Sequence, residues 1–337
     1  MQEQKLIKKS EFEQFFNNLK NDGKSILAPK RKGSKVYFAP VENFGEIALD
    51  YIQTALSAKS VVFPRVEEIL RYSFEQNTPK IEPLKHEFPK VVVFGLRPCD
   101  AASFEYMSQF FLKENPDYFF KNRIDNTILI TLSCKTCDES CFCTSVGLSP
   151  METKGSDLVF TEVENGDYFV EVFTEKGKNL ISSNTALFKE STNIDKEKYV
   201  ANIKKKFELN KLQEKINNIF ENPLWINESL ACIGCGACAF SCPTCTCFDI
   251  QDESNPVEGK RLRCWDTCSL GLFTLHTSGH NPRSVQSQRW RQRILHKFDY
   301  SVKNLNMISC VGCGRCLRVC PTQMNIIGQV ERILNEA

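Results

Sequence analysis

The chain has 337 residues, of which 42% are hydrophobic and 25% are charged, which is enough for two domains with buried cores. Its 43 basic and 41 acidic residues leave a formal charge of +2, so charge gives no reason to expect nucleic-acid or membrane binding. The 17 cysteines stand at metal-ligand spacings, which argues against a secreted disulfide scaffold. Because Met1–Lys5 is polar and no apolar run reaches membrane-span length, we expect a cytoplasmic protein.

The first predicted element is a helix from Ser10 to Lys20. Ser10 and Glu13 have the spacing of a capping box, and Gly23 follows the end of the periodic segment. The helix has one apolar face, which consists of Phe12, Phe15, Phe16 and Leu19. We interpret this helix as structural.

Two apolar runs, 91–95 and 127–132, lack polar alternation and therefore predict strands buried on both faces of a parallel sheet. Cys99 follows the first run, and Cys134 follows the second. Asp100 is expected to cap the helix between them. This β-α-β unit would place both cysteines beyond the carboxyl ends of the strands, where open α/β sheets bind their ligands.

Two further segments precede the C-terminal region. Alternation over 157–163 and 168–173, joined through Asn165-Gly166, predicts a β-hairpin. The lysine-rich stretch 184–222 has apolar spacing that predicts helix, and it ends at Pro223. We interpret this stretch as a helical connector between domains.

A cysteine pattern then occurs twice, over Cys232–Pro243 and Cys310–Pro321. The spacing C-x2-C-x2-C-x3-C-P lets three thiolates on one turn hold three corners of a [4Fe–4S] cube, while the fourth cysteine serves the other cube. The first predicted cluster is bound by Cys232, Cys235, Cys238 and Cys320, and the second by Cys310, Cys313, Cys316 and Cys242. Structural zinc is the alternative, but zinc sites pair two short cysteine clips and do not repeat a third cysteine and a Cys-Pro ending.

These elements predict a mixed α/β and α+β fold in three parts. Residues 1–183 form an α/β domain with a partly parallel sheet, and 184–223 form the connector. Residues 224–337 form a bacterial-type dicluster, ferredoxin-like domain with a long insertion, 245–309, between its two motifs.

Five more cysteines are expected to converge at one edge of the N-terminal sheet: Cys99, Cys134, Cys137, Cys141 and Cys143. The spacing C-x2-C-x3-C-x-C favours a third metal site. The alternative is that some of these residues are small buried apolar side chains, as free cysteines often are.

The motifs together resemble a known family. The run CIGCGACAFSCPTCTCFD from Cys232 to Asp249, then Arg263–Cys268, Ser278–Arg283, Arg291–Lys297 and CVGCGRC, is similar to the iron–sulfur beta subunit of cytoplasmic sulfhydrogenases. It is also similar to the A subunit of anaerobic sulfite reductase. The resemblance extends to the Pro-Cys-Asp at 98–100 and the Cys-Phe-Cys at 141–143, and therefore covers most of the chain.

The resemblance implies a third [4Fe–4S] cluster. Its ligands would be Cys99, Cys134, Cys141 and Cys143. Cys137 does not match the family pattern, and its presence leaves open which thiol next to Cys134 binds that corner of the cluster. The same family has counterparts of Cys245, Cys247 and Cys268 but lacks one at Cys264. These four could form a zinc or fourth cluster site, but we favour thiols packed beside the clusters, where neighbours tune the reduction potential.

The insertion carries a basic run, formed by His276, His280, Arg283, Arg289, Arg291, Arg293, His296 and Lys297. It is either a solvated basic face or a set of cations that compensate anionic clusters or meet an acidic partner. The histidines are not needed as ligands, because the cysteine sets are complete without them.

No dinucleotide fingerprint, P-loop or nucleophile with an evident base is present. The sequence therefore predicts a non-catalytic electron-transfer subunit, and the resemblance implies an FAD- and NAD(P)H-binding diaphorase-type partner and a catalytic partner. The catalytic partner would be a NiFe hydrogenase or, alternatively, a siroheme sulfite reductase. A self-sufficient flavin- or substrate-binding oxidoreductase and a redox-sensing regulator are the alternatives of other classes, but no DNA-reading motif supports the regulator.

Overall fold

The computed structural model describes residues 3–75, 78–82, 84, 86–191 and 194–336. It contains a larger mixed sheet, a smaller antiparallel sheet and a helical C-terminal region. The strands are β1 Glu3–Ile7, β2 Ser25–Lys32, β3 Lys35–Pro40, β4 Val66–Glu75, β5 Thr78–Glu82, β6 Val91–Leu96, β7 Thr127–Leu132, β8 Leu158–Glu162, β9 Tyr168–Val172, β10 Lys189–Glu190, β11 Phe248–Ser254 and β12 Glu258–Trp265.

The helices are mostly short. They are α1 Lys9–Asn21, α2 Pro98–Phe111, α3 Tyr118–Asp125, α4 Glu175–Ser182, α5 Leu209–Ile216, α6 Leu224–Ser229, α7 Ala237–Phe240, α8 Gln286–Leu295, α9 Ser301–Leu305, α10 Arg315–Val319 and α11 Ile326–Glu336. A π-helical turn, His296–Tyr300, joins α8 to α9. Within the described residues, no helix is both long and apolar enough to cross a bilayer.

The larger sheet has the strand order β10-β1-β9-β8-β7-β6-β2-β3. Strands β2, β6, β7 and β8 are parallel neighbours, and the outer pairs are antiparallel. This confirms the partly parallel sheet and the two buried strands predicted from the runs at 91 and 127. The hairpin β8–β9 is also present where the alternating pattern predicts it.

The central strands are apolar because both of their faces are covered. Val92 and Phe94 of β6 pack into a core that includes the apolar face of α1, with its four predicted residues buried. Val93 and Leu96 point the other way, into a core formed with α2 and α3. A strand covered on both faces has no position for alternating polar residues.

Two predicted helix caps are wrong in detail. Helix α1 begins at Lys9, and the Lys8 N–H donates to the carboxylate of Glu11 at 3.3 Å, so the predicted pair of Ser10 and Glu13 does not cap it. Helix α2 begins at Pro98 with Arg97 as its N-cap. A proline at the first helical position fits because its ring fixes φ and it needs no hydrogen-bond partner. Asp100 is therefore free for another partner.

The predicted connector, 184–223, is α-helical only over α5, apart from short 3-10 turns. The apolar residues of α5 are nevertheless buried in the C-terminal core, together with Trp225, Trp290 and Ile294 of α6 and α8.

The insertion 245–309 contributes to both halves of the molecule. Its hairpin β11–β12 extends the smaller sheet, in the order β11-β12-β4-β5, and β12 pairs antiparallel with β4 of the N-terminal part. Arg263 of β12 is buried between Glu67 and Asp117, with 2.5 Å from its Nη1 to Asp117 Oδ2. The two predicted domains are thus joined by a shared sheet and a buried ion pair.

Candidate metal centres

The two cysteine motifs adopt the same local conformation. Gly234 and Gly236 in the first motif and Gly312 and Gly314 in the second all have positive φ, between 62° and 73°. This left-handed conformation favours glycine, because a Cβ would crowd the following carbonyl. Each motif then enters a short helix, α7 or α10, and these two helices pack against each other. The motifs therefore face one another as two copies of one unit.

The thiols of the second motif lie in the interior together with one cysteine of the first. Burial raises the pKa of Cys310, to about 11, and that of Cys316, to about 12, and the negative charge of Cys242 contributes to both increases. The charge of Cys242 also contributes to the raised pKa of Cys313, which burial mainly causes. Cys242 thus lies among the three cysteines of the second motif, which is the neighbourhood expected if the motifs exchange their fourth ligands.

The first motif lies nearer the surface. Cys235 is exposed, and Gln286 Nε2 donates to Cys232 Sγ at 3.0 Å. Burial and the charges of Cys232, Cys242 and Cys268 raise the pKa of Cys238. Cys320, at the end of α10, accepts a hydrogen bond from the Met324 N–H at 3.2 Å. Its assignment to the first cluster rests on the motif spacing and on the packing of α10 against α7.

The N-terminal cysteines converge at the carboxyl edge of the larger sheet. Burial raises the pKa of Cys134, to about 11, and that of Cys143, to about 12, and the charge of Cys141 contributes to both increases. Burial also raises the pKa of Cys99 well above its ordinary value, with added contributions from the charges of Asp100, Cys313 and Cys134.

The position of Cys137 explains why its role stays open. Its charge also raises the pKa of Cys134, so it lies near the same group of thiols. Its own Sγ lies 3.9 Å from the Asn202 carbonyl oxygen and is partly exposed. The structure therefore places Cys137 at the rim of this group.

The second motif and the N-terminal cysteines are in direct backbone contact. The Phe142 N–H donates to the Gly312 carbonyl at 2.9 Å. A Cβ on Gly312 would lie 2.4 Å from the Cys143 nitrogen, and a Cβ on Gly314 would lie 2.3 Å from the Ser140 carbonyl oxygen. Only glycine allows this approach, which brings Cys313 next to Cys99. The donor sets fit thiolate-bound clusters, and two of these sites adjoin.

A buried ion pair connects the same two sites. Arg315, inside the second motif, donates to both carboxylate oxygens of Asp100, at 2.6 and 2.8 Å. It also donates to Gln53 Oε1 at 2.5 Å and to the Thr54 carbonyl at 2.9 Å. Gln53 Nε2 in turn donates to Cys99 Sγ at 3.2 Å. Sequence reasoning missed this network, because Asp100 and Arg315 are 215 residues apart.

Comparison with known proteins agrees with this geometry. Residues 231–324 match the family described as the 4Fe-4S dicluster domain. This part of the chain is a 4Fe–4S dicluster domain. Over 332 residues the chain is 29% identical to sulfhydrogenase 2 subunit beta of Pyrococcus furiosus, with 96% of each chain covered. The resemblance predicted from the motifs is thereby confirmed, whereas no solved structure matches the chain.

The cysteines inside the insertion of the dicluster domain divide into two groups. Cys245 and Cys268 lie beside Cys247, and their proximity raises the pKa of the Cys247 thiol. Cys264 lies apart on β12, opposite Asp249. The four predicted candidates therefore do not form one site.

Across the described part of the chain, no three His, Cys, Asp or Glu side chains are arranged to hold a single metal ion. A cube places each thiolate on a different iron, so its ligands are spread around it and do not converge on one ion.

The basic run of the insertion is partly solvated and partly buried. His276 and His280 are exposed and Arg283 is half-buried, whereas Arg293 and Lys297 are buried on the inner side of α8 and the π-helical turn. Burial lowers the pKa of the adjacent His296 to about 4. A solvated basic face therefore describes only part of the run, and compensation of anionic clusters by the buried part stays a prediction.

Proposed function

We propose that the protein is a non-catalytic electron-transfer subunit that carries three [4Fe–4S] clusters in a row. The first would be bound by Cys232, Cys235, Cys238 and Cys320, the second by Cys310, Cys313, Cys316 and Cys242, and the third by Cys99, Cys134, Cys141 and Cys143. When bound, such clusters accept and release one electron at a time. The chain itself supplies the ligands, the spacing between the sites and their exclusion from water.

One observation carries the proposal: the second motif lies backbone-to-backbone on the Cys141–Cys143 segment. The hydrogen bond from Phe142 to Gly312 and the close approach at Gly314 leave no room for an intervening side chain. The second site is thus flanked by the first site on one side, through α7 and α10, and by the third site on the other. This order supports a relay with the second cluster in the middle.

The two ends of the row reach different surfaces. At one end, Cys235 is exposed and is flanked along the chain by Ile233 and Leu230, two of the most exposed apolar side chains of the protein. At the other end, Cys141 is half-buried, and its Sγ lies 3.5 Å from Arg318 Nη2 and 3.6 Å from Asp138 Oδ1. Separate surfaces of this kind suit two redox partners.

We infer that these partners are an FAD- and NAD(P)H-binding diaphorase-type subunit and the catalytic subunit of a NiFe hydrogenase-type complex. Support comes from the relative, which is named as a subunit of a sulfhydrogenase and is similar along the full length of the chain. A siroheme sulfite reductase as the catalytic partner is the alternative that the motifs also allow. Co-purification with a siroheme protein and without nickel would select that alternative.

The test is iron and acid-labile sulfide analysis of the anaerobically purified chain, with Cys99→Ser as the variant. Three clusters correspond to about 12 iron atoms per chain, and the variant should lose about a third of them. Cys264→Ser, outside every proposed ligand set, is the matched control and should lose none. About 8 iron atoms, unchanged by Cys99→Ser, would remove the third cluster from the proposal. Iron-free protein would refute all of it.

A further inference from the structure

Four buried basic side chains lie close to the interior cysteines. Lys59, Arg97, Arg293 and Lys297 are only 2%, 6%, 4% and 5% exposed. Among the residues that the structure describes, no carboxylate lies within ion-pair distance of any of them. Two other buried cations differ, because Arg263 and Arg315 are paired with acidic side chains.

These four basic side chains contact cysteine segments, and Arg97 Nη1 does so 3.5 Å from the Ser133 carbonyl oxygen, next to Cys134. Lys297 Nζ lies 3.3 Å from Cys242 Sγ and donates to the Ser309 carbonyl at 2.7 Å, next to Cys310. Arg293 Nη2 donates to the Cys238 carbonyl at 2.9 Å. Lys59 Nζ donates to the Cys245 carbonyl at 2.9 Å.

An uncompensated buried charge costs several kcal/mol, so such groups persist where an anion balances them. A cube held by four thiolates is anionic, and it would lie where Lys297 points. The Lys297 side chain therefore faces the ligands of the second cluster.

Among the described residues, Lys297 is the one cation without a carboxylate partner whose nitrogen lies within hydrogen-bond distance of a cysteine sulfur. The closest donor to Cys232 in the first site is the neutral amide of Gln286. In the third site, the closest donor to Cys99 is the neutral amide of Gln53, and Arg318, beside Cys141, is paired with Asp138. A fixed positive charge favours the reduced, more negative state of a neighbouring cluster. Lys297 therefore acts most directly on the second cluster.

We propose that Lys297 is a positioning residue that raises the reduction potential of the second cluster. This inference deepens the proposed function and depends on it. Lys297 is not a ligand in any of the three proposed sets, so this role is additional to cluster binding.

The experiment is a potentiometric titration of the anaerobically purified full chain, followed by low-temperature paramagnetic resonance. Lys297→Met should make reduction of one cluster at least tenfold less favourable, which is a shift of about 59 mV to more negative potential for one electron. The same signal should be absent from Cys242→Ser. Lys297→Arg should restore most of the potential, because it restores the charge.

Lys303→Met is the matched control, since Lys303 is exposed and paired with Asp299 at 2.7 Å. Lys303→Met should leave the reduction potentials of all clusters unchanged. Unchanged potentials in a fully loaded Lys297→Met chain would overturn the inference while leaving the proposed function standing. If Lys297→Met does not retain its iron, Lys297→Gln, which can keep the hydrogen bond to Ser309, replaces it. Loss of the second cluster from both neutral variants, with Lys297→Arg fully loaded, would also overturn the inference, because the charge would then serve assembly.

Discussion

The two cysteine motifs have the same spacing and the same turn conformation, yet their surroundings differ. The first motif lies near the surface, with Cys235 exposed and a neutral amide next to Cys232. The second motif is buried against the Phe142 segment, contributes Arg315 to an internal ion pair and follows Ser309, whose carbonyl accepts a hydrogen bond from Lys297. Because the spacing is the same in both motifs, a difference in accessibility or reduction potential between the two proposed clusters has to come from the rest of the chain.

The largest effect is expected when the ligand that the first motif supplies to the second cluster is removed. Cys242 belongs to the first motif by sequence but lies among the thiols of the second. Cys242→Ser should therefore remove the second cluster, about a third of the iron, and leave the signals of the first. Iron analysis and paramagnetic resonance provide the measurement. Loss of the first cluster instead would show that each motif keeps its own four ligands.

Next in size is the ion pair that only the second motif possesses. Asp100→Asn leaves Arg315 charged and buried without its partner, which should destabilise the fold by about 3–5 kcal/mol. Denaturant unfolding under anaerobic conditions measures this change. The control is Asp252→Asn, which breaks an exposed pair with Arg261 and should leave the midpoint unchanged. Similar stability of the two variants would mean that the buried pair is not required.

The glycines of the two motifs allow a direct comparison. Gly312→Ala and Gly234→Ala both introduce a Cβ at positive φ, which costs about 1–2 kcal/mol. At Gly312 the Cβ also meets the Cys143 backbone at 2.4 Å, whereas at Gly234 it meets only the flexible end of Gln286 at 3.1 Å. We expect Gly312→Ala to lower the free energy of unfolding by roughly 2–4 kcal/mol and Gly234→Ala to lower it by about 1–2 kcal/mol. Equal losses in thermal unfolding would indicate that the close backbone contact does not exist in solution.

The smallest predicted effect is a loss of folding stability at acidic pH. Burial holds the pKa of His296, beside the second motif, at about 4, whereas the unfolded chain protonates this residue near 6.5. As the pH falls below 6.5, the unfolded state binds a proton that the folded state does not, so stability falls. Between pH 7 and pH 5, the free energy of unfolding of the wild-type chain should fall by about 2 kcal/mol more than that of His296→Asn. Parallel pH profiles from unfolding midpoints would contradict this assignment.

The N-terminal fold was largely predictable because its signals are local. The uninterrupted apolar runs of β6 and β7 reflect burial on both faces, and Asn165-Gly166 marks the β8–β9 hairpin. The exact helix starts were not predictable, because Lys8 and Pro98 compete with the polar residues that usually cap helices. The pairing of β12 with β4 was not predictable, because neither segment carries a sequence pattern that indicates its partner.

The sequence by itself determined the chemistry of the site. Cysteine spacing and the paired glycines predict iron–sulfur clusters, because turn geometry and thiolate ligation depend on residues close together in the chain. Only the tertiary structure brought Asp100 to Arg315, Gln53 to Cys99 and Lys297 to Cys242. Such contacts depend on how distant elements pack and on where buried charges find partners, and a linear pattern does not encode these distances.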